Sequence, residues 1–94
     1  MGKLLILSKY IFLIYGSDIS ELRRHIHVTY AHRGYKQSCK FWLDPEIALD
    51  ENKKGEFTDK ELREMEKLIL ENKALLERQL DLFYSHQPVK AERK

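Results

Sequence analysis

The chain has 94 residues, 43% of them hydrophobic and 34% charged, which suits one modest globular core and excludes an intrinsically disordered polypeptide. The single cysteine, Cys39, excludes an internal disulfide and a thiolate metal cluster and fits a reducing cytoplasm. The net charge of +2 hides an asymmetry: residues 1–43 carry seven Lys and Arg against Asp18 and Glu21, net +5, while the remainder carries ten against thirteen acids, net −3. No acid occurs between Leu22 and Leu43, so an anionic partner is favoured on the first half. A solvated basic surface and head-to-tail self-association are the alternatives.

In chain order, two short apolar runs flank Ser8-Lys9 and predict strands over 3–7 and 10–16 paired as a hairpin. Apolar residues on both faces of this hairpin imply burial on both sides. Residues 4–15 fall short of the roughly 20 apolar residues of a membrane span and lack a small-residue cleavage pattern, so neither a membrane segment nor a signal peptide is expected. Gly16-Ser17-Asp18 is turn chemistry. A third strand is predicted over 25–31, reading His25-Ile26-His27-Val28-Thr29-Tyr30, in which alternation places His25, His27 and Thr29 on one face and Ile26, Val28 and Tyr30 on the other. His32-Arg33-Gly34-Tyr35 is a turn, and 37–43 returns as a fourth strand ended by Asp44-Pro45, with Cys39, Phe41 and Leu43 on one face and Ser38, Lys40 and Trp42 on the other. A turn of helix is expected within Glu46-Ile47-Ala48-Leu49.

Thr58-Asp59-Lys60-Glu61 is a capping box, with Phe57 and Leu62 at the positions of a hydrophobic staple. From there an apolar stripe at helical spacing runs uninterrupted by Gly or Pro to Pro88, predicting one helix over 58–84. About 27 residues make a rod near 40 Å, against about 20–23 Å for a strand of six or seven residues. The overhang must fold back or cover a second molecule, and a homodimer or an obligate small protein partner is the expectation. Asn72 and Gln79 fall within the stripe, where a polar residue can fix helix register. Residues 87–94 read as a flexible tail after a single domain over 1–86.

Two imidazoles projecting side by side from a strand suit metal binding, proton transfer or phosphate recognition. Two ligands do not make a metal site, and a third would have to come from Asp18, His32, Asp44 or a second subunit. No cofactor is therefore expected, with a metal at His25 and His27 an unfavoured alternative. Phosphodiester chemistry needs an acid–base group and cations. His25 and His27 are the candidate catalytic residues, and Arg23, Arg24 and Lys40 are the candidate anion-binding residues. Trp42 is a stacking platform for a base if it shares the histidine face, or a core residue if it does not. Cys39 alternates with apolar neighbours and reads as a buried hydrophobe, not a nucleophile.

Taken together, Tyr10-x-Phe12 with Tyr15, Gly16-Ser17-Asp18, His25-x-His27-Val28, Lys40-Phe41-Trp42-Leu43-Asp44-Pro45, Phe57-Thr58-x-x-Glu61-Leu62-Arg63 and Glu71-Asn72 resemble a bacterial family catalogued as domain of unknown function 4160. The resemblance spans residues 4–84. It implies a free-standing small cytoplasmic protein paired with another small protein, in an arrangement similar to toxin–antitoxin pairs, and no established activity. The family usually has Pro-Pro before its His-x-His, where this chain has Arg23-Arg24, so the approach to the strand is freer and more basic here.

These readings converge on an α+β protein in which a small antiparallel sheet of about four strands packs on one long C-terminal helix. The leading functional expectation is a toxin–antitoxin-like component acting on RNA through the His25/His27 strand face. The alternatives are a non-enzymatic protein-interaction module and a weak metal-binding module.

Overall fold

The computed structural model describes residues 2–31 and 38–94. The expected turn His32-Arg33-Gly34-Tyr35 and the first residue of the expected fourth strand, Gln37, lie outside them. Strands β1 (Gly2–Leu7), β2 (Tyr10–Ile14), β3 (His25–Tyr30) and β4 (Ser38–Trp42) form an antiparallel meander. The β1–β2 hairpin closes over Ser8-Lys9 with Ser8 at a φ of 57°, the left-handed backbone that two-residue hairpin turns require. Lys3 lies opposite Leu13 and Leu5 opposite Phe12, so Leu4 is the extra residue of a bulge, and Leu4 and Leu5 are both buried.

Alternation divides β3 and β4 as the pleat demands. Ile26, Val28, Cys39, Phe41 and the following Leu43 enter the main core, and His25, His27, Lys40 and Trp42 occupy the opposite face. The core-facing side is covered by helices α1 (Asp59–Glu71) and α2 (Lys73–Tyr84), through Leu62, Met65, Ile69, Leu75, Leu76 and Leu80. α1 starts at its capping box: Glu61 N–H donates to Thr58 Oγ1 (3.1 Å), and Thr58 N–H donates to Glu61 Oε1 (3.0 Å). Phe57 and Leu62, on either side of the box, are both buried.

The architecture is α+β, but it departs from the four-strand, one-helix expectation in three ways. First, among the described residues the sheet has six strands, ordered β5-β4-β3-β2-β1-β6. β5 (Ala48–Leu49) pairs antiparallel with β4, where a helical turn was expected, because the 50–53 turn folds back on β4: Asp50 N–H donates to Lys40 O, and Lys40 N–H donates to Lys53 O. β6 (Glu92–Arg93) runs parallel to β1. Second, residues 87–94 are therefore not a frayed tail. Gln79, buried in α2, donates through Nε2 to both Leu4 O (3.0 Å) and Lys90 O (2.7 Å), stitching the C-terminal segment to β1.

Third, the helix is broken at Asn72, whose φ and ψ are −115° and 19°. Its side-chain amide donates to Leu68 O (2.8 Å) and its Oδ1 accepts from Lys94 Nζ (2.8 Å). Local side-chain bonding of this kind competes with helix continuation. The break turns α2 back onto β1, so the apolar stripe of 75–83 packs on its own sheet. The longest dimension of the molecule is 34 Å, shorter than a continuous rod of about 40 Å. The overhang is absent, and the dimer expectation loses the argument that carried it. Asn72 and Gln79 act within the chain, not across a helix–helix interface.

Candidate functional site

The face of β3 and β4 turned away from the helices is not an open wet surface. The β2–β3 connection, residues 15–24, folds back across it through a short 3-10 helix, Gly16–Ser20. Tyr15 N–H donates to Asp18 Oδ2 (2.9 Å), which fixes the Asp18 carboxylate over the strand. Under this cover His25 is fully buried and His27 keeps only 14% of its side-chain exposure. The element that covers the two imidazoles is a loop with no periodic pattern in the sequence.

Three side chains converge beneath the loop. Asp18 Oδ1 lies 3.2 Å from His25 Nε2, and Asp18 Oδ2 lies 3.0 Å from His27 Nε2. Glu21 Oε2 approaches His25 Nε2 to 3.7 Å, while Glu21 Oε1 accepts from Lys40 Nζ (2.9 Å). The ring tautomers follow from their partners. His25 Nδ1 sits 3.0 Å from Arg23 O, a carbonyl that can only accept, so Nδ1 carries the hydrogen. His27 Nε2 meets a carboxylate oxygen and is the donor there. The rings of His25 and His27 pack edge to face at 5.3 Å, and Tyr15 packs on His27 at 4.7 Å.

Burial disfavours the charged form of Asp18, but the Tyr15 N–H bond and the two facing imidazoles outweigh it and hold its pKa below the ordinary carboxylate value. Burial pushes the His27 pKa below that of a free imidazole, against the pull of Asp18 and with help from His25 and Lys40.

The expected cations divide between two places. Lys40 pairs across the sheet with His27, and Trp42 pairs with His25, so both share the histidine face. Arg23 lies over the Trp42 ring with its guanidinium carbon 4.3 Å from the centroid, and Lys40 Nζ lies 4.2 Å from the same centroid. Trp42 is half-buried and bracketed by these cations, so a nucleobase would have to displace one of them. Arg24 turns the other way, to Glu77 (3.3 Å) and Asp81 (2.5 Å) of α2. It holds the loop to the helix layer and stands apart from the histidines. Cys39 is buried against Met65, and burial pushes its thiol pKa up to about 12, as suits a core residue.

Of the possible third ligands, Asp18 is brought to the histidines. Asp44 is engaged elsewhere through its carbonyl, which accepts from Arg23 Nε (2.7 Å), and His32 lies outside the described residues. Glu21 and Tyr15 were not anticipated. One signal pointed to the acids: Asp18 and Glu21 are the two carboxylates of the basic first half, and both land on the histidine face.

A mixed sheet with helices on one face and a loop-covered histidine–carboxylate cluster on the other defines a small α+β domain with a polar centre. Among the described residues, no helix is long and apolar enough to cross a membrane. The chain belongs to the family described as Domain of unknown function (DUF4160), whose model matches residues 10–80 and so spans β2 to β4 and the cluster. No curated protein and no solved structure matches it.

Proposed function

We propose that this protein acts on RNA as one member of a toxin–antitoxin-like pair, binding a phosphodiester at the mouth of the His27–Asp18 cluster. The observation that carries the reading is the gathering of Arg23, Lys40, Trp42 and His27 on one face that the helices leave uncovered. Arg23 gives its Nε to a backbone carbonyl, so this contact leaves its positive charge for an anion. His27 is the acid–base group in this reading: Asp18 orients it through Nε2, its Nδ1 has no hydrogen-bond partner among the described residues, and the ring retains some exposure. His25, fully buried, supports His27 and does not meet substrate.

The test is induction of the full chain in a bacterial host, beside Arg23→Ala, His27→Ala and empty vector, together with RNA binding by the purified proteins across a salt series. Growth arrest that both substitutions relieve is expected. Arg23→Ala should lower the slope of log affinity against log salt by about one. Undisturbed growth and no RNA binding by folded wild-type protein would overturn the reading.

A protein-interaction role is the second reading, favoured by Leu22. Its side chain is 98% exposed at the rim of the covering loop, beside a depression of about 220 Å³ lined by Glu21, Arg24 and Tyr84. A stoichiometric partner that co-purifies with the wild-type chain and is lost with Leu22→Asp, without RNA cleavage, would favour it over the first.

A further inference from the structure

His25 presents an unresolved polar atom. Its Nδ1 hydrogen is committed to Arg23 O, which leaves the Nε2 lone pair of the neutral ring pointing inward. That nitrogen is buried and makes no hydrogen bond, and its nearest polar neighbours are the carboxylate oxygens of Asp18 (3.2 Å) and Glu21 (3.7 Å). Two carboxylate oxygens facing that buried lone pair repel it unless something positive stands between them. Asp18 Oδ1 stands 3.2 Å from this nitrogen with no hydrogen bond joining them. Donors around a metal ion have this relation: each points at the ion, and neighbouring donors lie off one another's axes.

We propose that Asp18, His25 and His27 form a site for a divalent first-row transition metal such as zinc, with Glu21 or a water in the fourth position. One donor atom from each of the three residues lies within 4.8 Å of the others. Tetrahedral zinc with ligand distances of about 2.0–2.1 Å separates neighbouring donors by about 3.3 Å. Asp18 Oδ1 at 3.2 Å from His25 Nε2 and Asp18 Oδ2 at 3.0 Å from His27 Nε2 place each imidazole nitrogen near that spacing from one carboxylate oxygen. Two imidazoles and a carboxylate favour zinc or its transition-metal neighbours over calcium and magnesium, which prefer all-oxygen shells.

The outer shell is also in place. Arg23 O fixes the His25 tautomer so that Nε2 is the ligating nitrogen, and Tyr15 N–H orients the Asp18 carboxylate. Glu21 is held at one oxygen by Lys40, which leaves Oε2 to lean inward. When the ion takes His27 Nε2, the hydrogen now shared with Asp18 moves to Nδ1, and the ring stays neutral. This site stands on the orphaned His25 nitrogen; it shares His27 and Asp18 with the RNA reading, and metal titration reads it separately from growth and RNA binding.

The experiment uses the full chain, freed of metal by chelation, and titrates it with Zn²⁺ and with Co²⁺ as a coloured probe. One ion per chain is expected, with Co²⁺ giving visible ligand-field bands of a four- or five-coordinate site. Asp18→Asn should weaken Zn²⁺ binding by more than the roughly 10–100-fold that loss of an outer-shell partner costs, and His86→Ala, at an exposed position, should leave it unchanged. Should Asp18→Asn fail to fold, nitrogen-15 spectra of the wild-type imidazoles decide. Zn²⁺ should convert the bare His25 Nε2 into a metal-bound nitrogen and move the His27 hydrogen from Nε2 to Nδ1. Both rings unchanged by Zn²⁺, or stoichiometric binding that survives in folded Asp18→Asn, would overturn the proposal.

Discussion

Gln79 shows how one buried amide can join elements far apart in the chain. Its Nε2 donates to carbonyls of residues 4 and 90, so a single side chain connects α2, the bulge of β1 and the segment leading to β6. Gln79→Leu preserves the volume and removes both donors, leaving Leu4 O without this partner in a buried setting. A loss of about 1–3 kcal/mol in urea unfolding is expected, with faster amide exchange at residues 90–94. A change within a few tenths of a kcal/mol would show that water replaces the amide. At the same scale, the site depends on identities that sequence spacing does not reveal. His25 and His27 announced themselves by their two-residue spacing, whereas Asp18 and Glu21 lie seven and four residues before His25 in a segment with no regular pattern.

Among the elements, α1 is the one whose beginning was most legible. Thr58 and Glu61 exchange both bonds of the capping box, and Glu61 Oε2 also accepts from Tyr30 OH of β3, so the cap anchors the helix to the sheet. Thr58→Ala should cost about 1 kcal/mol in denaturant unfolding. The Thr58 N–H bond, with the Tyr30 hydroxyl behind it, holds the Glu61 pKa below its ordinary value. A carboxylate with a depressed folded-state pKa contributes stability that is fully present above its unfolded pKa and is lost as pH falls through the folded one. Wild-type stability should therefore fall more steeply than that of Glu61→Gln as the pH drops below about 4.3. Parallel acid titrations of the two proteins would refute this contribution. The end of the same apolar stripe was not legible, because a stripe continues through Asn72 in sequence. Only the contacts of Asn72 with Leu68 O and Lys94 show that the helix stops and restarts there.

For the whole molecule, the parallel pairing of β6 covers the outer edge of β1, and Lys94 N–H donates to Ile6 O (2.9 Å) as part of that cover. An uncovered strand edge is a template for pairing with other chains. A chain ending at residue 86 should lose stability and self-associate more strongly with rising concentration than the full chain; light scattering of both decides the matter. An assembly state left unchanged by truncation would show that β6 does not protect the edge.

Taken by itself, the sequence determined how side chains alternate along β3 and β4, where α1 begins and that Cys39 sits among apolar neighbours, while it left open whether Trp42 joins the core or the histidines. These follow from periodicity and capping, which are local and therefore written into neighbouring residues. The tertiary structure alone decided that the loop 15–24 covers the histidines, that Arg24 turns to α2 while Arg23 turns to Trp42, and that the C-terminal residues complete the sheet. Each of these is a contact between segments distant in sequence. Such contacts depend on how the chain closes on itself, and no short-range pattern encodes that closure.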